Sequence, residues 1–405
     1  MVNRLFRGLA FCGAASAIVA LLTQPPIKLI NAPIATSSIP LGTIVSVREL
    51  SDGRVLVNDV GAKRLVIFDS LLVDQELVYA DSSAGSSEFG TMLKATSLIG
   101  YLGDSTLYCD LATGSILVLD GAGRLARVIA LPHPRDLNFL AFDILYGPPQ
   151  VDSLGRVTYR GAFPPPAQGI STIERTTLPV VRQADSAVIV RVDFEKRTTD
   201  TLASVKTQQV VTNRLESVGV RRTLITEIDP LAAGDQWTML RDGTIAIVRG
   251  HDYHIDWIDS DGSKRSTPKM PFDWRRVSAE RKQVLFDSIA DVYAKRNAQS
   301  EGRATGRSLI TVYRPIPVQK MSDYEPALGL SAVLAGPNNT VWVLPRSSLS
   351  ARSGLLYDVI TRDGLISYRV QLSSATKIVG FGANGSIYLL HVVGTQGFLQ
   401  RVGAP

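Results

Sequence analysis

Ser51-Asp-Gly-Arg-Val-Leu-Val-Asn-Asp59 begins as a turn and continues as a strand. Asp-Gly tolerates the positive φ of a tight hairpin, and the apolar residues that follow suit a half-buried strand. The pattern returns as Gly103-Asp-Ser-Thr-Leu-Tyr-Cys-Asp110, Asp152-Ser-Leu-Gly-Arg-Val-Thr-Tyr159, Asp242-Gly-Thr-Ile-Ala-Ile-Val248, Asn338-Asn-Thr-Val-Trp-Val-Leu344 and Asn384-Gly-Ser-Ile-Tyr-Leu-Leu390.

A short apolar strand precedes each of these turns, as in Thr43-Ile-Val-Ser-Val47, Ser97-Leu-Ile-Gly-Tyr101, Gln236-Trp-Thr-Met-Leu240 and Lys377-Ile-Val-Gly-Phe381. A third strand follows most of them, as in Arg64-Leu-Val-Ile-Phe-Asp69, Ala187-Val-Ile-Val-Arg-Val-Asp193 and His254-Ile-Asp-Trp-Ile-Asp259. A weaker outer strand comes after it, as in Ala126-Arg-Val-Ile-Ala130 or Ser367-Tyr-Arg-Val-Gln-Leu372. Four strands per unit in six units predict an all-β, six-bladed β-propeller, four-stranded sheets set radially about a channel.

The markers Gly53, Asp104, Gly155, Gly243, Asn339 and Gly385 stand 51, 51, 88, 96 and 46 residues apart, so the two long steps hold insertions. The last unit ends at Phe398-Leu-Gln-Arg-Val402 without an outer strand. Ile27-Lys-Leu-Ile30 is the expected donor, closing the ring and covering a sheet edge. Through these repeated Asp-Gly-x-Val-x-Val units, residues 27–405 resemble the six-bladed propellers of the NHL-repeat and TolB-like kind. That resemblance implies a fold and no single activity, because such propellers include binding modules, hydrolases, lyases and scaffolds.

The chain has 405 residues, 45% hydrophobic and 20% charged, which excludes a disordered polymer. Its net charge of +6 is carried by scattered residues rather than one basic face, so no nucleic-acid partner is expected. Residues 1–26 read as an export signal, with Arg4 and Arg7 before an apolar run from Leu9 to Leu22. That run is short for a spanning helix, so no stable membrane span is expected after cleavage; an uncleaved anchor is the alternative. The protein is therefore expected to be periplasmic or extracellular. Cys12 falls within the signal, leaving Cys109 without an intrachain partner and expected to be a small buried hydrophobe.

Insertions are expected at about 161–186, 205–232 and 272–326 within a single domain spanning 27–405. The first carries Pro164-Pro-Pro166, an extended stretch, and the second reads as irregular. The third holds a helix over about 279–297, with Ser278 as N-cap and Glu280 in the first turn. Leu285, Ile289, Val292 and Tyr293 share its apolar face, which is expected to pack on the propeller itself.

Chemistry is thin by comparison. His251-Asp-Tyr-His254 with Asp256 is the densest cluster of metal-ligating types, but one hairpin seldom supplies three converging ligands. Glu49, Asp143 and Asp235 are the acidic residues near inner strands that could hold a hard cation such as calcium through oxygen. Neither a nucleophile elbow nor a glycine-rich phosphate loop before a helix is present, so no nucleotide cofactor is expected. The sequence favours a monomeric binding or scaffold propeller that holds a protein, peptide or glycan at one end of the channel. The alternative is a metal-dependent hydrolase or lyase acting at the channel.

Overall fold

Each quoted unit forms the second strand of an antiparallel sheet in the computed structural model, which describes residues 24–80, 96–111, 113–133, 136–161, 185–218, 221–302, 309–350 and 354–405. The body of the expected signal with Cys12, and nearly all of the triple-proline insertion, lie outside these residues. Among the described residues, no helix is long and apolar enough to cross a membrane. The turn chemistry is as the sequence requires: Gly53, Gly155, Gly243 and Gly385 adopt φ of 85°, 77°, 84° and 77°. In the fifth unit Asn338 and Asn339 take the same role at 55° and 54°.

Two short N-terminal strands, β1 (Ile27–Leu29) and β2 (Ala35–Thr36), precede the first sheet of β3 (Ile44–Glu49), β4 (Val55–Asp59), β5 (Arg64–Phe68) and β6 (Gln75–Ala80). The second sheet contains β7 (Leu98–Gly100), β8 (Thr106–Asp110), β9 (Ser115–Leu119) and β10 (Leu125–Ala130). Two short helices follow, α1 (Leu137–Ala141) and α2 (Asp143–Tyr146), and then the third sheet of β11 (Gln150–Val151), β12 (Val157–Gly161), β13 (Ser186–Asp193) and β14 (Thr198–Lys206). A hairpin of β15 (Val211–Val218) and β16 (Arg221–Ile228) separates it from the fourth sheet, β17 (Gln236–Met239), β18 (Ile245–Arg249), β19 (His254–Ile258) and β20 (Lys264–Ser266). Helix α3 (Ala279–Gly302) and β21 (Leu309–Pro315) come next. The fifth sheet is β22 (Leu328–Ala335), β23 (Val341–Pro345), β24 (Leu355–Ile360) and β25 (Ile366–Leu372), and the sixth is β26 (Thr376–Phe381), β27 (Ile387–Val393) and β28 (Gln396–Val402).

The architecture is propeller-like: successive four-stranded meanders face one another across shared apolar cores. Leu56 and Ile67 of the first sheet pack with Leu98 and Leu117 of the second. Cys109 and Val118 meet Val157 and Val190 of the third, whose Ala187 and Ile189 meet Trp237 and Ile247 of the fourth. Ala246 and Trp257 pack with Val341 and Val343 of the fifth, and Trp342 and Val359 with Ile387 and Leu389 of the sixth. Tyr388 and Leu399 of the sixth sheet share a further core with Val55 and Val57 of the first. Cys109 is 1% exposed, and desolvation pushes its thiol up to about 12, so it behaves as a core atom.

Three expectations need correction. Ile27–Leu29 does not complete the last sheet; it lies parallel to β25 at the edge of the fifth, and all three residues are exposed. The partner of β28 is β2, eight residues further on, with Ala35 opposite Arg401 and backbone bonds extending to Leu41. Small side chains fit against that edge: Ala35 and Ser37 are buried, and the Ser37 hydroxyl accepts the Leu399 amide at 3.1 Å.

The segment expected to be irregular at 205–232 instead builds the hairpin β15–β16, whose second strand pairs in parallel with β21 to give a separate three-stranded sheet. Among the described residues helix α3 packs mainly on β21 of this inserted sheet rather than on a strand of the six repeated sheets. Its buried side includes Lys282, Leu285, Phe286 and Tyr293, while Val292 is 71% exposed. Tyr293 stacks on Tyr313 at 4.9 Å, and Asn297 bonds both backbone groups of Tyr313. The expected cap is present: the Ser278 hydroxyl accepts the Arg281 amide at 3.2 Å.

Candidate functional site

The sequence-selected residues fall into places that do not converge. Glu49 ends β3 and accepts the Tyr388 hydroxyl at 2.8 Å, an interaction that joins the first and sixth sheets and, after burial, helps push the phenol upward. Asp143 is the first residue of α2. Asp235 precedes β17, buried, and takes the Arg249 guanidinium at 2.6 Å together with the amides of Lys206 and Gly250. Every contact of Asp235 is thus with this chain's own donors, as in a structural anchor.

The histidine cluster continues from that anchor. Arg249 reaches Asp256 at 2.7 Å, His254 lies between Asp256 at 3.3 Å and Asp252 at 2.7 Å, and Lys269 approaches Asp252 at 3.5 Å. Burial works against the charge on Asp256, but hydrogen bonds from Ser266 and Arg249 outweigh it and hold the carboxyl below its ordinary range. Both nitrogens of His254 face carboxylates and His251 is exposed in the turn, so the imidazoles present no joint set of lone pairs to a metal. Among the described residues, no group of three or more ligating side chains is placed to hold a metal ion.

A different site emerges between the third and fourth sheets, where a cleft of about 360 Å³ opens beside the turns at 152–156 and 241–243. Its origin is visible in the repeat. The residue three after each turn marker pairs across to the third strand and points toward the next sheet. These pairs are Leu56–Ile67, Leu107–Val118, Ala246–Trp257 and Trp342–Val359 in four of the sheets, all apolar. The third sheet has Thr158–Arg191 at this register, and the sixth has Tyr388–Arg401. Tyr388 and Arg401 interact with each other. Thr158 Oγ1 and Arg191 Nε are buried atoms with no hydrogen-bond partner among the described residues.

The remaining walls are held in place. Arg156 is fixed by Asp152 at 2.7 Å, and Asp242 by Arg362 at 2.8 Å. Arg241 crosses to the turn of the sixth sheet, donating to the carbonyls of Ala383, at 2.6 Å, and Gly382. Met239 and Ile245 of the fourth sheet and Leu202 of the third supply an apolar side. Deeper between the sheets, Arg160 lies 4.8 Å over the Tyr146 ring; burial lowers its pKa, with Tyr146 opposing that effect. Trp237 Nε1 donates to the Tyr146 carbonyl at 2.9 Å, and at Gly147 an added Cβ would come within 2.4 Å of that indole nitrogen.

A second cavity, of about 500 Å³, lies between the fifth and sixth sheets beside residues 29–33. Its His391 already meets the Thr376 hydroxyl at 3.2 Å. Acids and histidines, the residue types that suggest metal or acid–base chemistry in a sequence, do not single out the first cleft. The available signal was a polar residue at a position where aligned repeats are apolar, which Thr158 and Arg191 both satisfy.

No family model and no curated protein matches the chain. Solved structures do resemble it. A streptogramin B lyase is 15% identical, with 91% of this chain and 96% of that one covered and a TM-score of 0.40. The calcium-binding protein regucalcin from Agrobacterium tumefaciens is 10% identical over 94% and 97%, with a TM-score of 0.40. A member of the DUF4221 family from Bacteroides vulgatus is 9% identical over 92% and 97%, with a TM-score of 0.44.

Proposed function

We propose that this chain is an exported six-bladed propeller of the NHL-repeat or TolB-like kind that works by binding, with its ligand held in the cleft between the third and fourth sheets. The observation that carries this reading is the pair Thr158 and Arg191, two residues of the cleft wall whose Oγ1 and Nε have no hydrogen-bond partner among the described residues. Buried polar atoms are ordinarily paired, so unpaired ones beside a cavity are where a ligand contributes most. The six-bladed ring rests on the six shared cores, the last of which couples the sixth sheet to the first. A cation-dependent hydrolase or lyase needs carboxylates converging on one point, whereas Glu49 and Asp235 serve Tyr388 and Arg249.

The test is a thermal-shift screen of acidic, basic and neutral small molecules, sugars and peptides against the wild type and Leu202→Trp, whose indole fills the cleft. Ligands that bind the native state raise Tm. At least one class should do so in the wild type and lose the effect in the variant. A screen with no cleft-dependent shift, or a bound stoichiometric cation whose removal abolishes a hydrolytic activity, would sink the binding reading.

A further inference from the structure

Taking the cleft as the binding site, we infer that its ligand is a small amphipathic molecule with an oxyanion head, a carboxylate or a phosphate, and an apolar body. The head is specified by two side chains, Arg191 and Thr158. Arg191 presents an unpartnered Nε, and its Nη2 has only a distant contact, 3.6 Å, to Asp200, whose side chain is 59% exposed. The Nε and Nη2 edge of a guanidinium is a fork that receives two oxygens of one anion side by side. Thr158 stands directly opposite Arg191 in the strand register, fully buried, with its hydroxyl free to donate to the same anion. A hydroxyl on one strand and a guanidinium edge on the next therefore serve one oxyanion from a single sheet face.

Charge favours the same sign. Asp152 and Asp242, the carboxylates at the cleft, are each neutralised by an arginine, Arg156 and Arg362, and are further occupied by backbone amides. Among the described residues Arg241 donates to carbonyls and has no carboxylate partner, and the one ion pair of Arg191 is the 3.6 Å contact to the exposed Asp200. A cationic head would leave the Arg191 edge unpaired, and a neutral carboxamide offers it one acceptor oxygen where a carboxylate or phosphate offers two and a countercharge.

The body is specified by the opposite wall, where Met239 and Ile245 are buried and Leu202 is partly buried. Leu154, at the mouth, is 71% exposed. At about 360 Å³ the cleft falls at the low end of the range of roughly 300–1,000 Å³ for small-molecule sites, which suits a short organic acid rather than a polymer segment.

Isothermal titration of the full chain with hexanoate, hexyl phosphate and hexanamide tests the inference, the three sharing one body and differing in head. One or both acids should bind one per chain, the tighter identifying the head, with hexanamide at least tenfold weaker. Arg191→Met should weaken the acids at least tenfold and Thr158→Val at least threefold. Arg124→Met, which removes a surface arginine paired with Asp120, should leave binding unchanged. Thr158→Val removes only a hydroxyl without a partner, so it reports on binding even if Arg191→Met fails to fold. Hexanamide binding as well as the acids, or acid binding that survives the substitutions, would overturn the oxyanion head and leave the cleft a binding site. Failure of all three probes also overturns it, while the binding reading stands or falls on the wider screen.

Discussion

Thr158 and Asp235 are both buried polar residues, yet they predict opposite responses to substitution. Asp235 is saturated by Arg249 and two amides, so Arg249→Met leaves a carboxylate at 7% exposure without its cation. Removing one partner of a buried pair costs about 3–5 kcal/mol, and the partly exposed Arg249 places this case near the lower end, about 3 kcal/mol by denaturant unfolding. Thr158→Val should instead be neutral or stabilise by about 1 kcal/mol, since an unpaired buried hydroxyl carries its desolvation cost in the folded state. A loss above 1 kcal/mol would mean that the hydroxyl has a partner. Asp256, held below its ordinary range, adds a pH dependence: its contribution is complete above the unfolded aspartate value of about 3.9 and is lost as pH falls through the lower folded value. Asp256→Asn should therefore flatten the acid limb of the stability curve, read from unfolding midpoints between pH 2 and 6. The sequence could nominate Glu49 and Asp235 by their nearness to inner strands. It could not show that their partners arrive from residues 339 and 14 positions away, which is what turns them into anchors.

Among the elements, those in which a glycine or asparagine turn leads into an apolar strand were legible in the sequence, and strands without an apolar run were not. The second strand of each of the six units lies where its turn places it, because a residue with positive φ fixes both the hairpin and the register behind it. Strands β15 and β16 flank a glycine in sequence, Gly219, but threonine, asparagine, arginine and glutamate leave few apolar residues on either side of it, and such polar strands read as loop. The face of α3 was half legible, since Leu285, Ile289 and Tyr293 turn inward as their spacing demands whereas Val292 does not. The two positions make a direct comparison. Tyr293→Ala should cost about 1–2 kcal/mol through the lost stack on Tyr313, and Val292→Lys should stay within about 0.5 kcal/mol, both by thermal unfolding. At the N-terminus, β1 is exposed whereas residues 35–41 bury Ala35, Ser37 and Leu41. A chain lacking residues up to 30 should keep most of its Tm, and one lacking residues up to 41 should lose far more, because it strips the edge of β28 and opens a core. Equal losses in the two truncations would contradict the assignment of β2 as the pairing segment.

At the scale of the whole molecule, the six shared cores make stability a property of the array rather than of any sheet. In an open array the end sheets are held from one side only and open locally before the rest. The core that couples Tyr388 and Leu399 to Val55 and Val57, together with the Tyr388–Glu49 bond, removes that distinction if the proposed ring is closed. Hydrogen exchange can separate the two cases with one substitution. Val57→Ala, at a fully buried position in the core between the sixth and first sheets, deletes two methyl groups and should cost about 2 kcal/mol. In a closed ring the slowest amides are exposed only by global unfolding, so those of Ile189 and Ile247, in the third and fourth sheets, should lose as much protection as those beside Val57. In an open array the loss is confined to the first and sixth sheets, and Ile189 and Ile247 keep their wild-type rates. Exchange rates at those two amides therefore decide whether the chain ends lock a ring or merely touch.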